Sequence, residues 1–140
     1  MDSRFEEEQL HFLAQSGDLE GVRHLVAVGH PVDAFDDLGK TPLHNAVEGD
    51  HIGIATFLIQ AGADVDAHDE SVIGNTPLGE VAATCSLQMA KLLVDAGADP
   101  TIRGWMQLSA LDKARDRKRG DGPAVYELLR AAGSGRRPSA

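Results

Sequence analysis

The sequence predicts an all-α solenoid of stacked helix-turn-helix units, joined by short hairpin-like turns. The first observation is a Thr-Pro-Leu motif that begins at Thr41 and again at Thr76, 35 residues later. The second is a Gly-Ala-Asp motif that begins at Gly62 and again at Gly97, with the same spacing. A repeat of that length with two helices and a turn is typical of solenoid proteins. Such proteins usually provide binding surfaces rather than active-site scaffolds.

The first helix of the best-preserved unit is predicted to begin at Pro42. The hydroxyl of Thr41 can cap this helix, and proline suits the first helical position because its missing N–H would be unpaired there anyway. Leu43, Ala46 and Val47 follow at the spacing of one helical face. This face should pack into the core.

The second helix of that unit is predicted over residues 52–60, after a break at Gly49 and Asp50. Gly62 then suits the left-handed position that follows many helices, where a residue without Cβ costs least. Residues 63–74 carry the Asp and Gly content of turns.

These motifs resemble the ankyrin repeat. The resemblance covers Leu10 to Gly133 and is clearest in the two central units, whereas the first and last copies are degraded, as expected for units that cap a solenoid. It implies a single ankyrin-repeat domain over residues 1–133, with four units at about 5–35, 36–68, 69–103 and 104–133. Residues 134–140 are small, polar and basic, and are predicted to be a disordered tail.

Departures from the repeat occur mainly in units three and four. The motif histidine, which the family buries to hydrogen-bond backbone between layers, is matched by His11 and His44. Unit three has Gly79 at this position and unit four has Asp112, so unit three is expected to lack the tie. The turn before unit three is also two residues longer than the one before unit two, with the extra length in residues 70–73.

In ankyrin proteins, partners usually bind the turn tips and the first helix of each repeat. The resemblance therefore implies a set of partner-contacting residues: Leu38, Lys40, Glu70, Val72, Ile73, Asn75, Arg103, Trp105, Met106, Leu108 and Arg117. Trp105 and Met106 stand where a polar turn is the default, and tryptophan is favoured in binding hot spots. The alternative is that Trp105 folds back to cover the last repeat.

Charge is distributed unevenly along the chain. The net charge is −9, but residues 1–99 contain 18 Asp/Glu against 4 Lys/Arg, and residues 100–140 contain 4 against 9. An acidic body disfavours nucleic acid and anionic membranes and favours a protein partner with a basic surface. The cations from Lys113 to Arg119 either offset the acidic body or form a patch for phosphate or an acidic partner.

The sequence offers no catalytic constellation, so we expect no enzyme, no cofactor and no metal site. The six histidines and Cys85 lack ligand spacing, and the single cysteine cannot form an internal disulfide. Neither a signal peptide nor an apolar run of about 20 residues is recognisable. We therefore expect a cytoplasmic protein that does not bind membranes and is monomeric when free.

The leading hypothesis is a non-enzymatic module that binds a partner protein and modulates or inhibits it. A narrower version is a bacterial toxin-neutralising immunity protein. One alternative is an adaptor that recruits its partner through a linear peptide. Another is binding of nucleic acid or anionic lipid by the C-terminal basic patch.

Overall fold

Eight α-helices form four consecutive pairs in the computed structural model, which describes residues 3–69 and 74–134. The helices are α1 Ser3–Ser16, α2 Leu19–Ala27, α3 Pro42–Glu48, α4 Ile52–Gln60, α5 Pro77–Val81, α6 Leu87–Asp95, α7 Ala110–Arg115 and α8 Gly122–Ser134. A short 3-10 turn spans Trp105–Gln107. The described residues contain no β-strand.

The helices pack in two rows. The first helices of the units stack in the order α1, α3, α5 and α7, and the second helices stack as α2, α4, α6 and α8. Hairpin-like turns connect unit one to unit two and unit three to unit four, since the N–H of Asp36 donates to Lys40 O at 2.8 Å and that of Gly104 donates to Leu108 O at 3.0 Å. The predicted solenoid of helix-turn-helix units is confirmed.

Hydroxyl caps start the first helix of units two, three and four. Thr41, Thr76 and Ser109 each accept the backbone N–H three residues later, from His44, Gly79 and Asp112 respectively, at 3.4, 2.9 and 3.1 Å. The predicted cap at Thr41 is therefore confirmed. Leucines at the second position of α3 and α5, Leu43 and Leu78, are fully buried and join the single core between the rows.

Imidazoles tie unit one to unit two and unit two to unit three. His11 Nε2 donates to Ala34 O at 2.8 Å and to Lys40 O at 3.0 Å. His44 Nε2 donates to Asn75 O at 2.7 Å. The predicted structural role of both histidines is confirmed.

Units three and four are tied by other side chains. Lys113 Nζ donates to Gly79 O at 2.6 Å, and Asn75 Oδ1 accepts the backbone N–H of Trp105 at 2.8 Å. The prediction that unit three lacks a tie is wrong, because a lysine reaching back from α7 and an asparagine reaching forward replace the missing imidazole.

Aspartates form a further row of ties that the sequence reasoning missed. The carboxylate of Asp33 accepts the N–H of Asp64 at 3.0 Å, and that of Asp66 accepts the N–H of Asp99 at 2.8 Å. Each pair joins one inter-unit turn to the next, so these two carboxylates contribute to the stacking itself.

The predicted disordered tail and the predicted insertion lie mainly outside the residues that the structure describes. Ser134 is the last residue of α8, so the helix reaches one residue into the predicted disordered tail. Residues 135–140 lie outside the described residues, as do Glu70, Val72 and Ile73 in the predicted insertion. Within the described part of the chain, no helix is both long and apolar enough to cross a bilayer.

Candidate protein-binding surface

The turn tip of unit two presents Leu38 to solvent. Asp36 Oδ1 accepts the backbone N–H groups of Leu38 at 2.9 Å and Lys40 at 3.0 Å, so the turn is closed by its own aspartate. Gly39 has φ of +75°, which glycine adopts without the clash that a Cβ would cause. Leu38 is 55% exposed at the top of this turn.

The turn tip of unit four presents three large apolar side chains. Trp105 is 57% exposed, Met106 73% and Leu108 41%. More than half of the indole surface is therefore open to solvent. Gln107 occupies the position of Gly39 and has φ of +63°, while Met106 before it has φ of +59°. Both residues carry a Cβ in the left-handed region, so this turn is strained.

A charged cluster lies on the first helices beside the tips. Lys40 Nζ is 2.6 Å from Glu48 Oε1 on α3 and 3.6 Å from Glu80 Oε1 on α5. Burial lowers the pKa of Lys40, but the two carboxylates outweigh it and raise the pKa overall. Lys40 is half-buried and bonded within the chain, so it serves to link units two and three.

The pKa values of the two carboxylates in this cluster shift in opposite directions. Burial raises the pKa of Glu48, and the lysine only partly opposes this effect. Burial acts in the same direction on Glu80, but the Asn75 amide and Lys40 stabilise its charge and lower its pKa overall. Glu80 is therefore the more firmly ionised member of the pair.

Asn75 lies inside the molecule rather than on the predicted contact surface. It is 7% exposed, and its side chain bonds Glu80 as a donor and the Trp105 N–H as an acceptor. We therefore treat Asn75 as part of the scaffold and not as a contact residue. The signal in the sequence was Gly104, which stands where unit two has the turn-closing Asp36.

The remaining predicted contacts lie in unit four. Arg103 is exposed beside the Trp105–Gln107 turn. Arg117 is half-buried, and its Nη1 donates to Ala82 O at 3.2 Å. Because Lys113 bonds Gly79 O and Arg115 bonds Asp112 at 2.8 Å, three of the five cations between 113 and 119 have partners within the chain.

An open cleft of about 450 Å³ lies at the far end of the first helices, beside Arg117. Its lining mixes both charges, including Glu48, Asp50, Arg119 and Asp121. Cys85 also lines it, but burial raises the pKa of this thiol and keeps it in the unreactive neutral form. Among the described residues, no group of three His, Cys, Asp or Glu side chains could hold a metal ion.

Comparison with known proteins decides the family. A family model described as ankyrin repeats, in three copies, matches residues 10–104. The chain belongs to the ankyrin-repeat family. Ankyrin repeats are protein–protein interaction modules, and this assignment fits a molecule that exposes large apolar side chains on two of its turn tips.

Several curated proteins are similar over most of this ankyrin chain. The nuclear factor NF-kappa-B p105 subunit of Mus musculus is 40% identical over 106 residues, which is 74% of this chain and 11% of that protein. A putative E3 ubiquitin-protein ligase of Arabidopsis thaliana, XBAT34, is 31% identical over 115 residues, or 81% of this chain and 31% of that protein. The chain thus spans less than a third of the length of these two relatives.

A shorter relative matches only part of the chain. Protein phosphatase 1 regulatory subunit 27 of Homo sapiens is 43% identical over 61 residues, which is 44% of this chain and 40% of that protein. This match covers less than half of either chain.

Proposed function

We propose that this ankyrin protein is a non-enzymatic regulator that binds a partner protein along an apolar edge formed by Leu38, Trp105, Met106 and Leu108. The observation that carries the proposal is the exposure of Trp105 and Met106 side by side on one turn. Tryptophan is enriched in the hot spots of interfaces, and methionine adapts to varied surfaces. Large apolar side chains that are grouped and open to solvent are available for contact with a partner.

The proposed edge extends toward unit three on sequence grounds. Val72 and Ile73 fall between the two described tips along the chain. Glu70 precedes Val72 by two residues, and Arg103 precedes Trp105 by two residues. These four residues complete the contact set that we propose. The excess of 18 Asp/Glu over 4 Lys/Arg in residues 1–99 supports a partner with a basic surface, since opposite charges speed encounter.

Affinity capture from the native host tests the proposal. The wild-type chain and the Trp105→Ala variant are compared as bait, and the captured partner is then measured by titration. Losing a central aromatic contact should weaken binding at least tenfold, because hot-spot truncations cost roughly 2 kcal/mol or more. Phe12→Ala is the matched control, since Phe12 is an exposed aromatic in unit one.

Each outcome of the capture is informative. Loss of the partner with Trp105→Ala but not with Phe12→Ala supports the apolar edge. Equal affinity of wild type and Trp105→Ala removes the edge from the proposal. Loss only with Phe12→Ala moves the surface to unit one.

The nature of the captured partner separates the narrower hypotheses. A toxin encoded beside this gene supports the immunity role. Binding of an isolated peptide from the partner, abolished by Trp105→Ala, supports the linear-peptide adaptor. Binding of nucleic acid or anionic vesicles that weakens steeply with salt would support the basic patch instead.

A further inference from the structure

We infer that Asn75 of unit three is a positioning residue that locks the turn tip of unit four and so fixes the direction in which Trp105 and Met106 project. Its Oδ1 accepts the backbone N–H of Trp105 at 2.8 Å, across a separation of 30 residues in sequence. The asparagine is 7% exposed, so it can act on a partner only through the tip.

The tip requires such a lock because its own residues disfavour its shape. Met106 and Gln107 are consecutive non-glycine residues with φ of +59° and +63°. Asn-Gly is the sequence preferred for two successive left-handed residues in a tight turn. Besides the bond from the Gly104 N–H to Leu108 O, two backbone hydrogen bonds lie within the turn, from the Gln107 N–H to Gly104 O at 2.9 Å and from the Leu108 N–H to Trp105 O at 3.2 Å. Strain of this kind persists only where surrounding structure imposes it.

Gly104 provides the space for the lock. A Cβ placed on Gly104 would overlap Asn75 Oδ1 and would also press on the Asn75 backbone. In unit two the equivalent residue is Asp36, whose carboxylate closes its own turn. Unit four has no side chain at that point, and Asn75 of the neighbouring unit supplies an acceptor at a different position of the turn, the Trp105 N–H.

The other end of the amide is anchored in the charged cluster. Asn75 Nδ2 donates to Glu80 Oε2 at 3.0 Å, and the other oxygen of Glu80 lies 3.6 Å from Lys40 Nζ. The amide therefore has one orientation, with its oxygen directed to Trp105. A chain of contacts runs from Lys40 through Glu80 and Asn75 to the tip.

The functional meaning of the lock rests on the proposed function. A tip that is already ordered loses less conformational freedom when a partner covers it, so binding is tighter for the same contacts.

Amide hydrogen exchange in the free protein, measured by NMR, tests the lock without a partner. Asn75→Ala removes the acceptor, and Gly104→Ala displaces it while keeping the Asn75 side chain. Both variants should speed exchange of the Trp105 N–H roughly tenfold and should also speed exchange at Gln107 and Leu108. The His51 N–H, which bonds Ala46 O in unit two, should be unchanged.

Asn45→Ala is the matched control. Asn45 is a half-buried asparagine in unit two, and its side chain donates to Thr41 O within the same unit. It should leave exchange at Trp105 within about twofold of wild type. Unchanged exchange at Trp105 in Asn75→Ala overturns the lock, as does equal acceleration at Trp105 and His51, which would indicate general destabilisation. If Asn75→Ala does not fold, Gly104→Ala decides by the same criteria.

The two proposals fail separately. Exchange is measured in the absence of any partner, whereas the capture experiment compares Trp105→Ala with wild type. If exchange at Trp105 depends on Asn75 but capture is the same for wild type and Trp105→Ala, the binding edge is refuted and the lock is kept. If exchange at Trp105 is unchanged in Asn75→Ala but capture requires Trp105, the lock is refuted and the binding edge is kept.

Discussion

His44 illustrates how a single buried side chain stabilises the stack. Its Nδ1 accepts the Thr41 N–H at 3.0 Å and its Nε2 donates to Asn75 O at 2.7 Å, so the imidazole is neutral and uses both nitrogens. Burial lowers the pKa of His44, because the charged form would lose hydration that a carbonyl only partly replaces. In the folded chain, protonation would abolish the bond from Thr41.

Replacing His44 should destabilise the fold in a pH-dependent way. His44→Ala leaves a buried carbonyl and a buried N–H unpaired, and we expect a loss of about 1–3 kcal/mol in the free energy of unfolding at neutral pH. Urea unfolding followed by circular dichroism measures this loss. His24→Ala, at an exposed histidine, should change stability by less than about 0.5 kcal/mol.

The sign of the pH effect follows from the direction of the shift. The unfolded chain binds a proton near the ordinary histidine pKa of 6.5 and the folded chain binds it at lower pH, so unfolding takes up protons between the two values. The contribution of His44 is complete above pH 6.5 and is lost as the pH falls below it. The difference in stability between wild type and His44→Ala should therefore shrink on acidification, and a difference that grows would contradict the assignment.

The residues that sequence reasoning located are those whose role is set locally. Thr41, His44 and Gly62 follow from the spacing within one repeat, and the structure gives Gly62 the expected positive φ of 101°. The contribution of Asn75 could not be found in this way, because its acceptor role depends on a glycine in the next unit. Spacing predicts which residues share a unit, whereas ties between units depend on side-chain reach.

At the scale of elements, the inter-unit turns differ more than the helices do. The unit two turn places glycine in the left-handed position and closes with its own aspartate, whereas the unit four turn places Gln107 there and depends on Asn75. The sequence predicted that this turn departs from the repeat. It did not predict that the turn keeps the closing backbone bond of unit two, which runs from Asp36 N–H to Lys40 O there and from Gly104 N–H to Leu108 O here.

Gln107→Gly should stabilise the protein. A left-handed residue with a Cβ costs about 1–2 kcal/mol, and the greater flexibility of glycine in the unfolded chain offsets about 0.5–1 kcal/mol of the gain. We expect a net increase of roughly 0.5–1 kcal/mol in the free energy of unfolding. Urea titration of wild type and variant measures it.

The reciprocal change provides the control. Gly39→Gln places a side chain at φ of +75° in unit two and should lower stability by about 1–2 kcal/mol. A destabilising Gln107→Gly would show that the left-handed conformation at this tip carries no strain.

At the scale of the whole molecule, each unit is stabilised by its neighbours. Helices contact those of the adjacent unit, α1 with α3 and α6 with α8 for example, so an end unit has one neighbour and a central unit has two. The only tryptophan and the only tyrosine, Trp105 and Tyr126, both belong to unit four. Aromatic fluorescence therefore reports on one end of the solenoid, while circular dichroism reports on all helices.

Core truncations at the end and in the centre should therefore unfold the chain differently. Leu129 in α8 and Leu43 in α3 are both fully buried, and truncating either to alanine should cost about 2–5 kcal/mol. In Leu129→Ala we expect the fluorescence transition at lower urea than the circular dichroism transition, because unit four detaches first. In Leu43→Ala the two should move together, and coincident transitions in Leu129→Ala would contradict nearest-neighbour stability.

The bond from Asn75 to Trp105 means that the last repeat cannot be exchanged as a self-contained cassette. A chimera that grafts residues 104–134 onto another ankyrin scaffold carries Gly104 without the asparagine that fills its space. The transplanted tip would then sample several shapes even with every unit four residue in place. The segment that can be transferred begins at Asn75, inside the preceding repeat. A chimera joined at the boundary between units three and four would separate the tip from the Asn75 side chain that holds it.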